Sequence, residues 1–351
     1  MKVDYIIVGL GLAGLAFVEQ LIKNNKTFIV FENNSQTSSS VASGTYNPVI
    51  VKRFTPVWNG HEQIEYAMPF YNKIEERFNE NFDTKFSARK VFNSIADQNN
   101  WFEASDKPKL SLYMNPQIIR DKIKGVIGAY GFGELIRTGR IDTKKLVERY
   151  RLFLKEQNLI KYSKFEYNDL YIKEKNVQYQ NIEAGRIVFC EGFGIKSNPY
   201  FNYLPLNGTK GEIITIKAPK LKIDFMLKSS VFVLPLGDDL YKVGATFNRE
   251  DKTQTITEEG KKELLEKLQK TITVPFTIVD QTAGIRPTVK DRRPLVGVHP
   301  KYSKLSVLNG FGSRGVMIAP TVANNLYNHL ENGQKLDKEI NIERFQKLLT
   351  D

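Results

Sequence analysis

The 351-residue sequence holds a single cysteine, Cys190, so no intramolecular disulfide can brace it. That scarcity excludes a disulfide scaffold and favours a reducing compartment. Histidine is almost as rare: His61, His299 and His329 stand far apart. They form no metal-ligand or triad spacing, so zinc hydrolysis and Ser-His-Asp chemistry are excluded. His329 is expected in a helix and His299 in a turn beside Pro300, both in surface or core roles. No apolar run approaches the ~20 residues that would span a bilayer. The longest, Tyr5 to Val18, has Asp4 before it and no small-residue cleavage site behind it. Repeats, low-complexity tracts and long linkers are missing too. The expectation is a cytoplasmic protein without a membrane span.

Acidic residues are the minority charge, 39 Asp plus Glu against 51 Lys plus Arg, a formal net charge of +12. Such an excess suits an anionic partner: nucleic acid, a phosphorylated cofactor or a carboxylate substrate. The lysines are scattered and not blocked, so a merely basic surface explains them as well. At roughly 100–200 residues per domain, the length suggests two domains or one interleaved body.

What is present is concentrated first in residues 1–32. Val3 to Val8 read as a buried parallel strand. Gly9, Leu10, Gly11, Leu12, Ala13 and Gly14 follow as G-x-G-x-x-G, then a helix from Leu15 to Lys23 and a strand from Thr27 to Phe31 ending in Glu32. The glycines give a tight turn, a close approach for a pyrophosphate and close helix–strand packing. The helix N-terminus supplies positive potential, and Glu32 can accept from the hydroxyls of an adenosine ribose. The signature alone leaves NAD and FAD open. An acid at position 32 argues against NADP, whose extra phosphate it would repel.

A second cluster runs Gly284, Ile285, Arg286, Pro287 and on to Gly297. A strand at Leu305 to Leu308 then leads to Gly310, Phe311, Gly312, Ser313, Arg314, Gly315 and Val316, with a helix running on through Leu330. Its dipole end could face the electron-rich edge of a reduced isoalloxazine. Between the clusters, Tyr66 to Phe78 and Thr257 to Thr271 read as amphipathic helices, and Ser230 to Phe247 as a hairpin. Glu258 and Glu259 look like a solvated helix face. No second dinucleotide fingerprint or His–Asp pair appears, which disfavours a plain NAD-dependent dehydrogenase.

On these residues the chain resembles the FAD-dependent D-amino-acid oxidase superfamily, nearest its glycine oxidase, sarcosine oxidase and D-amino-acid dehydrogenase branch. The motifs are the fingerprint with Glu32, then Ser39, Ser40, Val41, Ala42, Ser43, Gly44. Gly139 to Asp142, Lys210-Gly211-Glu212, Pro235 with Gly244-Ala245-Thr246, and the two late glycine blocks complete them. The resemblance implies an α/β and α+β fold: a Rossmann-like FAD-binding domain interleaved with a substrate domain on a large mixed β-sheet. The expected FAD-binding domain is 1–80, 139–210 and 284–351, and the substrate domain 81–138 and 211–283. FAD would touch Gly9, Gly11, Leu12, Ala13, Gly14, Glu32, Ser40, Ala42, Ser43, Gly44, Gly192, Gly310, Gly312, Ser313, Arg314, Gly315 and Val316. Cys190 lies away from the second glycine block, where sarcosine oxidases carry their linking cysteine, so the FAD is expected to be non-covalent.

The resemblance further implies oxidation of a C–N bond in a small carboxylate-bearing amine, by hydride transfer to flavin N5 and imine hydrolysis. Arg286 matches the family's carboxylate-binding arginine, and the natural grip on a carboxylate is such a bidentate fork. Arg314 is a second candidate for the carboxylate, and Phe232 and Phe247 fall where substrate-lining residues stand. Electrons would pass to oxygen or to a carrier such as a quinone. The stretch Gly310 to Pro320, with Ala42, Ser43, Gly44, Asn47 and Pro48, also resembles the oxidase domain of the bacterial tRNA wobble-uridine modification enzyme. That domain oxidises a carboxymethylaminomethyl group, so tRNA is an alternative partner. Against it, no methyltransferase segment accompanies these residues and no compact basic stripe is visible. A non-catalytic flavin-binding subunit is a third reading, disfavoured by Arg286 and the intact fingerprint.

Overall fold

The computed structural model describes residues 1–349, which divide into two compact units. The first comprises residues 1–42, 143–209 and 285 onward; the second comprises Ser43–Asp142 and Lys210–Gly284.

In the first unit, Lys2–Val8 lies parallel between Phe28–Phe31 and Ile182–Phe189. Tyr5 to Val8 and Phe28 to Phe31 are buried throughout, as strands covered on both faces must be. The far edge of Ile182–Phe189 is shared. Its first half pairs antiparallel with Val177–Tyr179, and its second half pairs parallel with Leu305–Asn309. Helices Leu12–Lys23, Thr143–Glu156 and Gly315–Asn332 belong to this unit. In Thr143–Glu156 the buried positions Leu146, Val147, Tyr150 and Leu154 recur at helical spacing. The Leu12–Lys23 helix begins three residues before the sequence suggested. Gly11 is extended and serves as its N-cap, so Gly14 sits inside the first turn.

The second unit carries an eight-stranded mixed sheet. Its expected hairpin is present as Phe232–Gly237 and Leu240–Gly244, and Met226–Lys228 pairs parallel with Ala88–Val91. Helix Gly60–Phe78 is longer than expected and buries Ile64, Ala67, Tyr71, Ile74 and Phe78 along one face. Helix Glu258–Gln269 starts at Thr257, whose hydroxyl accepts from the Gly260 N–H at 3.0 Å. Glu258 and Glu259 are exposed in its first turn, as read from the sequence.

Residues 43–80 and 139–142 differ from the sequence expectation, since they pack with the second unit. Thr45–Tyr46 pairs antiparallel with Gly139–Ile141, which pairs in turn with Asp83–Lys85. Val49 and Phe54 join a core with Trp101, Leu135 and Met226.

Lys210 is buried in this unit, its ammonium 2.6 Å from Asp251 and 3.5 Å from Glu212. Glu212 also accepts from the Thr257 hydroxyl and N–H and from the Gln281 amide. Removing the ammonium leaves the buried Glu212 carboxylate without its counter-charge, with the partly exposed Asp251 losing the same partner. Lys210→Ala is therefore expected to lower the unfolding free energy by about 3–5 kcal/mol. A urea midpoint equal to that of the wild type would contradict this.

Candidate functional site

The first glycine turn is built as the sequence implied. Gly9 has φ +95°, and a Cβ on it would lie 2.7 Å from the Cys190 carbonyl oxygen. A Cβ on Gly14 would lie 2.0 Å from the Gly9 carbonyl oxygen, so only glycine lets this helix approach its own turn. Glu32 is buried at the end of the second strand. Its Oε2 accepts from the Leu10 N–H at 2.5 Å and its Oε1 from the Asn34 N–H at 2.6 Å. Each oxygen of a carboxylate has a second lone pair, so the acid can hold the turn and still accept from ribose hydroxyls. Two further residues complete the turn: Ser39, named in the sequence only as part of a motif, and Arg151, which the sequence did not single out. Ser39 Oγ accepts from the Leu12 N–H at 3.1 Å, and Arg151 Nη2 lies 3.6 Å from Glu32. Ser40, Ala42 and the fingerprint residues share this unit, whereas Ser43 and Gly44 belong to the second.

The second glycine turn is in the same unit. Asn309 Oδ1 accepts from the Gly310 N–H, and its Nδ2 donates to the Gly192 carbonyl, both at 2.8 Å. One side chain thus ties the two predicted loops together, a role that spacing alone did not reveal. Gly310 and Gly312 have φ of +81° and +58°, and the helix opens at Gly315 with Arg314 as its N-cap. Ser313 and Val316 flank that opening, so the dipole end points from the turn.

Arg286 ends the strand Thr277–Arg286, and the residues after it are held from two sides. The Gly312 N–H donates to the Pro287 carbonyl at 3.0 Å, and the Asn207 N–H to the Thr288 carbonyl at 2.8 Å. Burial pushes the Arg286 guanidinium below its ordinary range. The same is true of Arg314, where the nearby positive charge of Arg292 adds to burial. The structure thus brings Arg286, Arg314 and both glycine turns into one unit, while Phe232 and Phe247 fall in the other. Phe232 is partly buried beside the core containing Trp101. Phe247, expected to line a pocket, is 61% exposed, with the Arg249 guanidinium 5.4 Å from its ring centre. Cys190 is buried and burial pushes its thiol well up, which makes it a poor nucleophile.

Glu191, next to Cys190, was not anticipated. Its carboxylate accepts from the Tyr167 hydroxyl and from Asn198 Nδ2, the latter at 2.7 Å. Burial pushes it up to about 7, against those two hydrogen bonds, from an ordinary value of 4.5. Between these pH values the folded chain holds the proton and the unfolded chain does not. This contribution to stability is therefore complete below pH 4.5 and is lost as pH rises through 7, a change of roughly 3 kcal/mol. Glu191→Gln removes the titration. Urea unfolding of wild type and variant from pH 5 to 8.5 should show their difference shifting by that order, and parallel profiles would refute it.

A parallel sheet, a glycine turn at the end of its central strand and a buried acid closing the next strand define a Rossmann-like dinucleotide-binding protein. Residues 4–327 match the family described as "DAO: FAD dependent oxidoreductase", and the chain belongs to that family. It is 22% identical to the glycine oxidase of Bacillus subtilis (strain 168), over 91% of each chain. A stretch of 178 residues is 28% identical to the tRNA 5-methylaminomethyl-2-thiouridine biosynthesis bifunctional protein MnmC of Azoarcus sp. (strain BH72). That stretch covers 45% of this chain and 28% of the relative, so the chain spans less than a third of that protein. Among solved structures, glycine oxidase from Bacillus cereus ATCC 14579 superposes with a TM-score of 0.79, at 14% identity, over 95% of this chain and 96% of that one. The cofactor is FAD, and the cradle at Gly9 and Gly14 with Glu32 beside it fits the adenosine diphosphate half of that molecule. Among the described residues no helix is long and apolar enough to cross a membrane, and no group of His, Cys, Asp or Glu could hold a metal ion.

Proposed function

We propose that the chain oxidises the C–N bond of a small amine bearing a carboxylate. The observation that supports this most is Arg286, a cation pushed down by burial on a segment clamped from both sides. FAD, when bound, accepts the hydride and with it two electrons from the amine. The chain's own task is to fix the substrate and exclude water, so catalysis is mostly positioning. Arg286 would take both carboxylate oxygens in its fork, with Arg314 adding a second positive charge. Phe232 and Phe247, in the second unit, stay the candidates for lining the substrate that the resemblance implies. The oxidised product is an imine. Water adds to its carbon, and the C–N bond breaks to give a carbonyl compound and the amine. Residues 1–42, 143–209 and 285 onward would hold FAD non-covalently, consistent with the inert Cys190. The second unit would carry the substrate walls, and oxygen or a quinone-type carrier would take up the electrons.

The 28% identity to the MnmC relative supports a second reading, with the amine carried on a tRNA base. The net charge of +12 would then serve the phosphate backbone. Anaerobic titration of the yellow protein separates the two. Glycine, sarcosine, proline and D-amino acids are added singly, then tRNA bearing the carboxymethylaminomethyl group. Bleaching of the flavin band by a free amine supports the first reading; bleaching by the tRNA alone supports the second. A band that resists every amine would overturn both.

A further inference from the structure

A cavity of about 520 Å³ lies wholly within the second unit, and none of its lining residues is among those assigned above to FAD or to the substrate. It opens between helix Gly60–Phe78 and the turn joining Phe132–Leu135 to Gly139–Ile141. Ile64 and Met68, four residues apart on the helix, form one apolar wall; Phe86 and Ile136 contribute another. Ile136 is 38% exposed, an unusual state for a large aliphatic side chain beside an open cavity. Two of the hydroxyls that line the space, those of Tyr46 and Thr138, are already engaged. Tyr46 donates to Asp83 at 2.8 Å, and Thr138 donates to the Phe86 carbonyl at 2.6 Å.

The groups left at the rim are charged. Lys85, Arg137 and Glu65 are exposed there, two cations against one carboxylate. Arg137 has φ +55°, a left-handed conformation that favours glycine or asparagine. Volume, apolar walls and a few convergent charges are the attributes of a small-molecule site.

We propose that this cavity binds a small amphipathic anion. Its flat apolar body would lie between Ile64, Met68, Phe86 and Ile136, and its carboxylate, sulfonate or phosphate would reach Lys85 and Arg137. The assignment is independent of the amine-oxidation reading, because it uses none of the same residues. Burial of the apolar body displaces poorly paired water, and the charge-assisted contacts fix orientation.

The test is calorimetric titration of the FAD-loaded full chain with 8-anilinonaphthalene-1-sulfonate. One saturable site is expected. Arg137→Glu and Ile136→Asp should each weaken it at least about tenfold, the scale of one lost charge-assisted hydrogen bond or one lost apolar contact face. Both side chains are exposed, so flavin absorbance and melting temperature should match the wild type. Competition identifies the natural class: displacement by indole-3-acetate points to an aryl carboxylate, and displacement by uridine 5′-monophosphate to a nucleotide. Unsaturable binding, or equal affinity in wild type and both variants, would overturn the proposal.

Discussion

Arg286→Ala is expected to lower kcat/KM for a carboxylate-bearing amine by roughly 10²–10³-fold while leaving FAD bound. Truncating one partner of a buried charge pair costs about 2–5 kcal/mol, much of it because the other charge then stands unpaired. Here the unpaired group would be the substrate carboxylate, brought into a site whose arginine burial has already made costly to charge. Arg286→Lys keeps the charge but loses the planar fork, so it should recover only part of the loss. An amine lacking the carboxylate should be oxidised equally, and poorly, by wild type and variant. Steady-state kinetics with the flavin-to-protein absorbance ratio checks all of this. The experiment holds for either substrate, since the group on the tRNA base also ends in a carboxylate. Unchanged turnover would remove Arg286 from the site.

Gly14→Ala should yield a protein that purifies nearly colourless. The added Cβ would stand 2.0 Å from the Gly9 carbonyl oxygen, and that oxygen belongs to the backbone of the turn itself. The helix and the turn must move apart, which costs upwards of about 3 kcal/mol and raises the FAD dissociation constant about 100-fold or more. Gly312→Ala is the contrast. Its Cβ would meet only Thr288 Cγ2 at 3.8 Å, so the penalty is the left-handed backbone alone. That is about 1 kcal/mol, or some fivefold in affinity. Fluorimetric titration of the two apoproteins with FAD would rank them, and equal affinities would mean that the close packing at Gly14 does not shape the site.

The parts legible in the sequence were those whose cause is local. Strand, glycine turn, helix and Glu32 follow one another within 32 residues, and each pattern is set by its neighbours. The placement of residues 43–80 was not legible, because Thr45–Tyr46 joins Gly139–Ile141 and that strand pairs in turn with Asp83–Lys85, a long-range pairing that no local pattern announces. Arg151 could not be foreseen beside Glu32 for the same reason: a helix elsewhere in the chain delivers it. Glu191 follows strand Ile182–Phe189 by two residues, and nothing local marks it out. Its hold on a proton comes from enclosure by Tyr167 and Asn198, which sequence does not report.

The divided edge of strand Ile182–Phe189 has a consequence for the order in which a ribosome makes this protein. The antiparallel neighbour, Val177–Tyr179, emerges just before it and can pair at once. The parallel neighbour, Leu305–Asn309, is synthesised more than a hundred residues later. Until then the second half of that edge is bare, and the second glycine turn, which follows Leu305–Asn309, does not exist. Long-range pairing of this kind is slow and leaves an unpaired strand edge exposed. A nascent chain halted before residue 305 can therefore shape the first glycine turn but not the second, so the two turns coexist only in the last stage of biosynthesis.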